Sequence, residues 1–392
     1  MDRPIYMDHA ATTPVDPEVF QAMEPWLKDS YGNPSTLYTA GLVAAGALER
    51  ARASIAERIG AQPDEIHFTS GGTESDNWAV KGAADAQQKK GRHLVTSTIE
   101  HHAVLEPLEF LEKRGFEVTR VPVDSTGMVD PEDVRRAMRS DTVLVSIMHA
   151  NNEVGTIQPI TEIGAIVREA GAIFHTDAVQ SAGKLPLDVA AMNADLLSLS
   201  GHKFYGPKGV GALYIRNRVR ITPLMHGGGQ ERRRRPGTHN MPGIVGMATA
   251  LELATDRMAE EGPRLRGLRD KLWEGLEENI PDIAFNGHPT ERLDNMLNFR
   301  VEGIEGEAMI LCLDMNLIGV SSGSACTTGS LDPSHVLLAM GIPAEEAHGS
   351  IRISLGHSNT EVDVDYFLEA FPQVVSRLRD MSPVYNKPTS KQ

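Results

Sequence analysis

Between residues 66 and 215 short apolar runs alternate with longer segments whose apolar residues recur at helical spacing. Few architectures accommodate that rhythm. Ile66–Thr69, His93–Thr98, Phe116–Val123, Val143–Met148, Ala172–His175, Ala194–Leu199 and Val210–Ile215 read as strands. Gly71 through Ala86, Ala103–Lys113, Pro131–Arg139 and Ile160–Glu169 read as the helices between them. A run as continuously apolar as Val143-Leu-Val-Ser-Ile147 suits only a strand covered on both faces. The expectation is an α/β chain with a mainly parallel sheet and helices on both sides.

The flanks read differently. Residues 1–40 carry Pro14, Pro17, Pro25 and Pro34 and are expected to be irregular, with a helix following over Ala44–Ile59. After about residue 240 come long charged helices, Met247–Met258 and Leu265–Glu278. Strands are then sparse: Met296–Val301, Gly319–Ser322 and Ser350–Leu355. This texture predicts a smaller α+β domain, with a boundary near 255–262 around Pro263. The division expected is a large domain over 15–258 and a small one made of 1–14 and 259–392.

Bulk properties exclude several function classes. A formal charge of −15 argues against a nucleic-acid partner, the short basic run Arg232–Arg235 notwithstanding. Two cysteines, Cys312 and Cys326, in 392 residues are no disulfide framework and point to a reducing compartment. Met1–Tyr6 lacks the apolar core of a signal peptide, and no run has the roughly 18 apolar residues of a membrane helix. A cytoplasmic protein is expected, with no membrane association. The histidines do not fall at metal-ligand spacing and the cysteines form no CxxC, so no metal site is expected.

Ligands of open α/β sheets bind beyond the carboxyl ends of the strands. Those ends here are rich in chemistry. Ser70-Gly-Gly-Thr-Glu74 opens a helix, where free N–H groups and the Thr73 hydroxyl suit a phosphate. A plain cap, with Asp76 three residues after Thr73, explains the same residues. Thr98-Ile-Glu-His-His102 offers histidines, and His149-Ala-Asn-Asn-Glu-Val-Gly155 offers amides. Thr176-Asp-Ala-Val-Gln180 places Asp177 where an ionised carboxylate needs a cation, and none is adjacent in sequence. Ser200-Gly-His-Lys203 supplies one lysine in a turn, a setting in which most lysines are merely solvated. Together these ends meet the needs of pyridoxal phosphate: a phosphate cradle, a flat ring, donors, an acid for the pyridine nitrogen and a Schiff-base amine. Two further features stand apart. Cys326 has small polar neighbours and reads as an accessible thiol, whereas Cys312 reads as buried and inert. Arg352, inside an apolar strand, is either an edge residue or a fork for a carboxylate.

At this point the sequence resembles a known family. Met7-Asp-His-Ala-Ala-Thr-Thr-Pro14, Tyr31-Gly-Asn-Pro-Ser35, Thr69–Ser75, Glu100-His101, Asn151–Gly155, His175–Gln180, Ser200–Lys203 and Gly237-Thr238 carry the resemblance almost end to end. It is to the NifS/IscS-type cysteine desulfurases, class V aminotransferase-like enzymes of pyridoxal-phosphate fold-type I. Ser322-Gly-Ser-Ala-Cys326 has the form of that branch. The resemblance implies Lys203 as the Schiff-base lysine and Cα proton carrier, Cys326 as sulfur acceptor on a mobile loop, and His101 stacked on the ring. It implies Asp177 at the pyridine nitrogen, with Gln180 and Asn152 near the ring oxygen or substrate. It implies Gly72, Thr73, Ser200 and His202 at the phosphate, joined by Thr238 from the partner of a homodimer. Arg352, Asn33 and Asn152 would hold the carboxylate of L-cysteine. The reaction implied yields L-alanine and a Cys326 persulfide for iron–sulfur cluster assembly. An IscU- or NifU-like scaffold would accept the sulfur, and Cys326 could ligate a cluster in such a complex. A rival within the class is an aminotransferase or selenocysteine lyase, and a rival outside it is a non-catalytic scaffold. Three departures from the family pattern stand out: the neighbouring His102, the extra basic residues of Arg232–Arg235 followed by Pro236, and His357 in place of an arginine.

Overall fold

The computed structural model describes residues 3–322, 332–383 and 385. Its main sheet has seven strands: β2 (Ile66–Thr69), β3 (His93–Ser97), β4 (Glu117–Val121), β5 (Thr142–Ser146), β6 (Ile173–Asp177), β7 (Leu196–Ser200) and β8 (Gly211–Ile215). Their spatial order is β2-β8-β7-β6-β5-β3-β4. Only β8 runs against the rest, being antiparallel to both β7 and β2. Each strand lies within a few residues of its expected place.

Side chains leave these strands alternately to two covered faces. Leu94, Leu144 and Leu196 join Trp78 of α3 (Gly72–Gln87) and Leu108 of α4 (His102–Glu112) in one apolar cluster. Their neighbours Val95, Val145 and Leu197 face the opposite cluster. There they meet Ile55 of α2 (Thr39–Arg58), Val134 of α5 (Pro131–Ala137) and Ile163 of α6 (Ile160–Ala170). The continuously apolar strands are thus explained by burial on both sides.

Two expectations need correction. The first 40 residues are not irregular: they hold β1 (Ile5–Tyr6) and α1 (Pro17–Lys28). Pro17 sits in the first turn, where its missing N–H costs nothing, and Asp16 caps the helix by accepting the Glu18 N–H at 2.8 Å. Pro25 lies within the helix, which packs on a later helix where Met23 fills the space above Gly246. The two charged helices expected after residue 240 are one, α7 (Met241–Asn279), which runs through Pro263 without a break. Its first half supplies Ile244, Met247 and Leu251 to the core against the main sheet. Its second half supplies Leu268, Leu272 and Leu276 to a separate core.

That second core is built on an antiparallel sheet of β9 (Ile283–Asn286), β10 (Met296–Val301) and β12 (Ser350–Ser354). It also takes in α8 (Gly306–Asp314) and α9 (Glu361–Met381), with Ile5 and Met7 from the N-terminal strand. β1 pairs with β11 (Ile318–Gly319). Cys312, expected to be buried, is half-buried on the flank of this core. Cys326 lies outside the described residues.

Candidate active site

Strands β2, β3, β5, β6 and β7 end at one edge of the sheet, and the polar residues that follow them converge there. Asp177 is the last residue of β6, and its carboxylate accepts the Val179 N–H at 2.8 Å. Burial pushes its pKa up to about 6, although that N–H and the charge of Lys203 pull the other way. It has company that the sequence did not announce. Asp76, on the buried face of α3, is raised well above the usual carboxylate range by burial and then by the charge of Asp177. Burial takes Glu100 up to about 8, and its Oε2 has no partner. His175 lies between, bonded to Ser146 (2.8 Å) and Ser198 (3.0 Å), and burial lowers it to about 3, so it is neutral. The strand ends therefore hold acids short of positive charge.

Lys203 closes a 3-10 turn, Gly201–Lys203, directly after β7. Its Nζ donates to the carbonyls of Ala10 (2.5 Å) and Ala11 (2.8 Å). The N-terminal segment, quoted above only for its resemblance, is thus a wall of the site. Gln180 donates to the same Ala10 carbonyl at 2.9 Å, while its Oε1 is buried with no partner. His101 is the N-cap of α4, with Nδ1 accepting the Ala103 N–H at 3.0 Å. Burial, then the charge of Lys203, lowers its pKa to about 4, so its ring is neutral. His102 instead turns its ring toward His335, at 5.0 Å.

At the start of α3 the cap is the backbone of Gly71, not the Thr73 hydroxyl, so the capping box considered for Thr73 and Asp76 is not formed. Gly71 has φ 155°, which favours glycine. A Cβ on Gly72 would come within 2.8 Å of Val179 and 3.5 Å of Ser200. The helix start thus packs tightly against the turns after β6 and β7, leaving its first N–H groups and the exposed Thr73 at the open side. His202 contacts Thr12 at 3.1 Å, and burial lowers it to about 4.

Arg352 lies on β12, at the edge of the three-stranded sheet, but does not face solvent. It is buried, with Nη1 donating to the Asn152 carbonyl and Nη2 to Asp8, both at 2.8 Å, and Nε left without a partner. Asn33 lies elsewhere in the network, its side chain capping the Ser35 N–H at 2.9 Å. Thr238 is exposed and makes no hydrogen bond to the site within this chain. Lys203, Asp177, Gln180, His101, Ser200, His202, Gly72 and Thr73 come together, and Arg352 and Asn152 form a second pair. Asp76, Asp8, Ala10 and Ala11 complete the site, yet they are separated in sequence from the residues they serve.

The arrangement fits pyridoxal phosphate. A buried carboxylate with a raised pKa gains from a cationic ring nitrogen, the Gln180 side-chain amide group suits the ring oxygen as a donor, and the α3 start suits a phosphate. The model of the family described as aminotransferase class-V matches residues 5–367. A cysteine desulfurase IscS of Methanosarcina thermophila is 56% identical over 386 residues, covering 98% of this chain and 95% of that protein. Among solved structures, a NifS-like protein superposes with a TM-score of 0.91 at 42% identity, over 96% of this chain and all of the other (100%). SspA in complex with cysteine superposes at 0.80 with 40% identity, over 90% of this chain and 98% of that one. The strand-end acids, the turn lysine and likeness along nearly the whole length agree: the chain belongs to the class-V aminotransferase family, among the NifS/IscS-type cysteine desulfurases, whose cofactor is pyridoxal phosphate.

Proposed function

We propose that this protein takes sulfur from L-cysteine, releases L-alanine and carries the sulfur as a persulfide on Cys326. The observation that carries the reading is the pairing of Lys203 with the buried, charge-starved Asp177 at one strand edge. The 56% identity to a named desulfurase supports it. Asp177 would hold the ring nitrogen, and Gly72, Thr73, Ser200 and His202 the phosphate. His101, neutral through burial, would lie against the ring without repelling its positive nitrogen. Bound there, pyridoxal phosphate supplies an electron sink beside the substrate Cα. Arg352, with Asn152 and Asn33, would orient the substrate carboxylate, with Asp8 as the group it releases. Lys203 would accept the Cα proton at Nζ and later return one. Gln180 would donate to the ring oxygen. Cys326, as thiolate, would attack the substrate sulfur. The S–S bond forms as the Cβ–S bond breaks, and the carbon leaves with the electron pair, which a proton then captures.

We also infer the finer setting. A homodimer is supported by Tyr31 (88% exposed), Leu37 (90%), Tyr38 (61%) and Leu42 (58%), an apolar group on one stretch of surface chain. Thr238, exposed here, would reach the phosphate of the partner's site. The division into 15–258 and 1–14 with 259–392 is supported by the two separate apolar cores that α7 bridges. A cytoplasmic setting accords with the cysteine usage, and no described helix is long and apolar enough to cross a membrane. The acceptor would be an IscU- or NifU-like iron–sulfur scaffold. Replacing Cys326 by alanine tests the reading. The variant is expected to bind pyridoxal phosphate and L-cysteine yet release neither alanine nor sulfide; retained turnover would remove Cys326 from the reaction.

A further inference from the structure

A second lysine stands behind the first. Lys184 lies four residues beyond Gln180, in the turn that follows β6, and its Nζ donates to the carbonyls of Gln180 (2.9 Å) and Lys203 (3.3 Å). Gln180 and Lys203 both donate to the Ala10 carbonyl, at 2.9 and 2.5 Å. These bonds form a closed ring: Lys184 to Gln180, Gln180 to Ala10, Ala10 to Lys203, and Lys203 back to Lys184. Three chain segments distant in sequence are held together by it. Lys184 supplies the two links that no other side chain in the ring supplies.

The ring adjoins a small cavity whose lining includes Lys184, Lys203, His9, Asn295, Glu261 and His357. Among its lining groups His9 Nε2 and Asn295 Oδ1 are buried without partners. We propose that Lys184 is a positioning residue for the desulfurase reaction: its bonds to the Gln180 and Lys203 carbonyls fix the Lys203 turn and place a second amine there, whose charge opposes a proton on the Lys203 nitrogen. This rests on the reading of Lys203 as the cofactor-bearing lysine. Burial lowers the Lys184 amine to about 7, and the charge of Lys203 adds to the effect. Such repulsion is reciprocal. Other ionisable groups facing the two amines are Asp177 from β6, His101 from the start of α4, and His202 and Lys208 from the chain after β7. His9 faces them from the N-terminal segment, with Glu261 and His357 at the far wall. Asp177 is the acid among them that opposes the effect directly, and it is the group assigned to the ring nitrogen.

The test loads the full-length protein with pyridoxal phosphate and follows its near-visible absorption band against pH. Lys184→Met, of similar length, and Lys184→Gln both remove the charge, whereas Lys184→Arg keeps it. Loss of a unit charge in a protein interior moves a neighbouring pKa by about one unit. The midpoint is therefore expected to rise by up to about one pH unit in the Met and Gln variants, and to stay or fall in the Arg variant, whose guanidinium keeps its charge above pH 7 where Lys184 loses part of its own. Turnover is expected to fall about tenfold in Lys184→Met with KM for L-cysteine little changed, because the lesion is in the proton carrier and not in substrate binding. A residue that merely staples the turn would leave the midpoint alone, and an unmoved midpoint in a folded Met or Gln variant overturns the proposal. If Lys184→Met does not fold, Lys184→Gln decides. A wild-type protein with no near-visible band would instead sink the reading of Lys203.

Discussion

Two buried acids beside the main sheet live under opposite regimes. Glu231 is fully answered: Arg52 donates to both its oxygens (2.8 and 2.9 Å), His239 reaches it at 2.6 Å, and the Phe68 N–H adds a bond at 3.1 Å. Burial would push its pKa up, but His239 and Arg52 outweigh burial and hold it at about 2. Asp177 is held chiefly by one backbone N–H and the charge of Lys203, and burial leaves it near 6. The first acid is finished in the folded chain, and the second is left short of charge. Finishing Glu231 has a use. Glu231, Arg232 and Arg233 have φ of 43°, 55° and 66°, a left-handed run costing about 1–2 kcal/mol per residue. The Arg52 clamp offsets that strain and fixes the segment that follows. The basic run is therefore not a loose solvated loop: Arg235 forms a two-bond pair with Glu74 (2.8 and 3.0 Å) in the first turn of α3, beside the phosphate end of the site.

The contrast can be broken in four ways. Glu231→Gln leaves Arg52 buried beside a neutral partner and is expected to cost about 3–5 kcal/mol in urea unfolding at pH 7. The sign with pH follows from a folded pKa below the unfolded one: the stabilisation is whole above about pH 4.5 and lost as pH falls toward 2, so variant and wild type should converge there. Asp177→Asn should do the reverse. Its folded pKa is raised, so ionising it costs stability above about pH 6 and nothing below about pH 4. The cofactor-free variant is expected to gain about 2 kcal/mol at pH 8, while its affinity for pyridoxal phosphate falls about 10- to 100-fold by fluorescence titration. Equal losses of stability in the two variants would erase the distinction between them. In the unmutated protein, pyridoxal-phosphate affinity should fall about tenfold between pH 7.5 and 5, as Asp177 takes up a proton through about pH 6. The smallest effect is expected for Glu100→Gln: with a pKa near 8 that carboxyl is already protonated at pH 7, and unfolding should shift by less than about 0.5 kcal/mol.

Much of this was legible in the sequence because burial on both faces writes strands as unbroken apolar runs, and the strand ends could be read in order. The turn lysine, Asp177 and Gln180 were visible because each follows such a run. What the sequence concealed depends on long-range contact. Asp76 looks like a capping partner until α3 is seen to bury it toward Asp177. Ala10 and Ala11 act only through their carbonyls, which no side-chain pattern signals. The prolines misled where context tolerates them: Pro17 in the first turn of α1, and Pro263 inside a helix anchored by a core at each end. Arg52 and Glu231, 179 residues apart, form the clamp that turns a basic run into fixed structure.

Of the two half-buried lysines beside the same cavity, we propose that Lys203 carries the cofactor and that Lys184 supports it. Reduction of the pyridoxal-phosphate-loaded protein with borohydride, followed by proteolysis and mass spectrometry, reads this directly. The cofactor is expected on the peptide bearing Lys203, with the Lys184 peptide unlabelled. Label on Lys184, or none on Lys203, would contradict it.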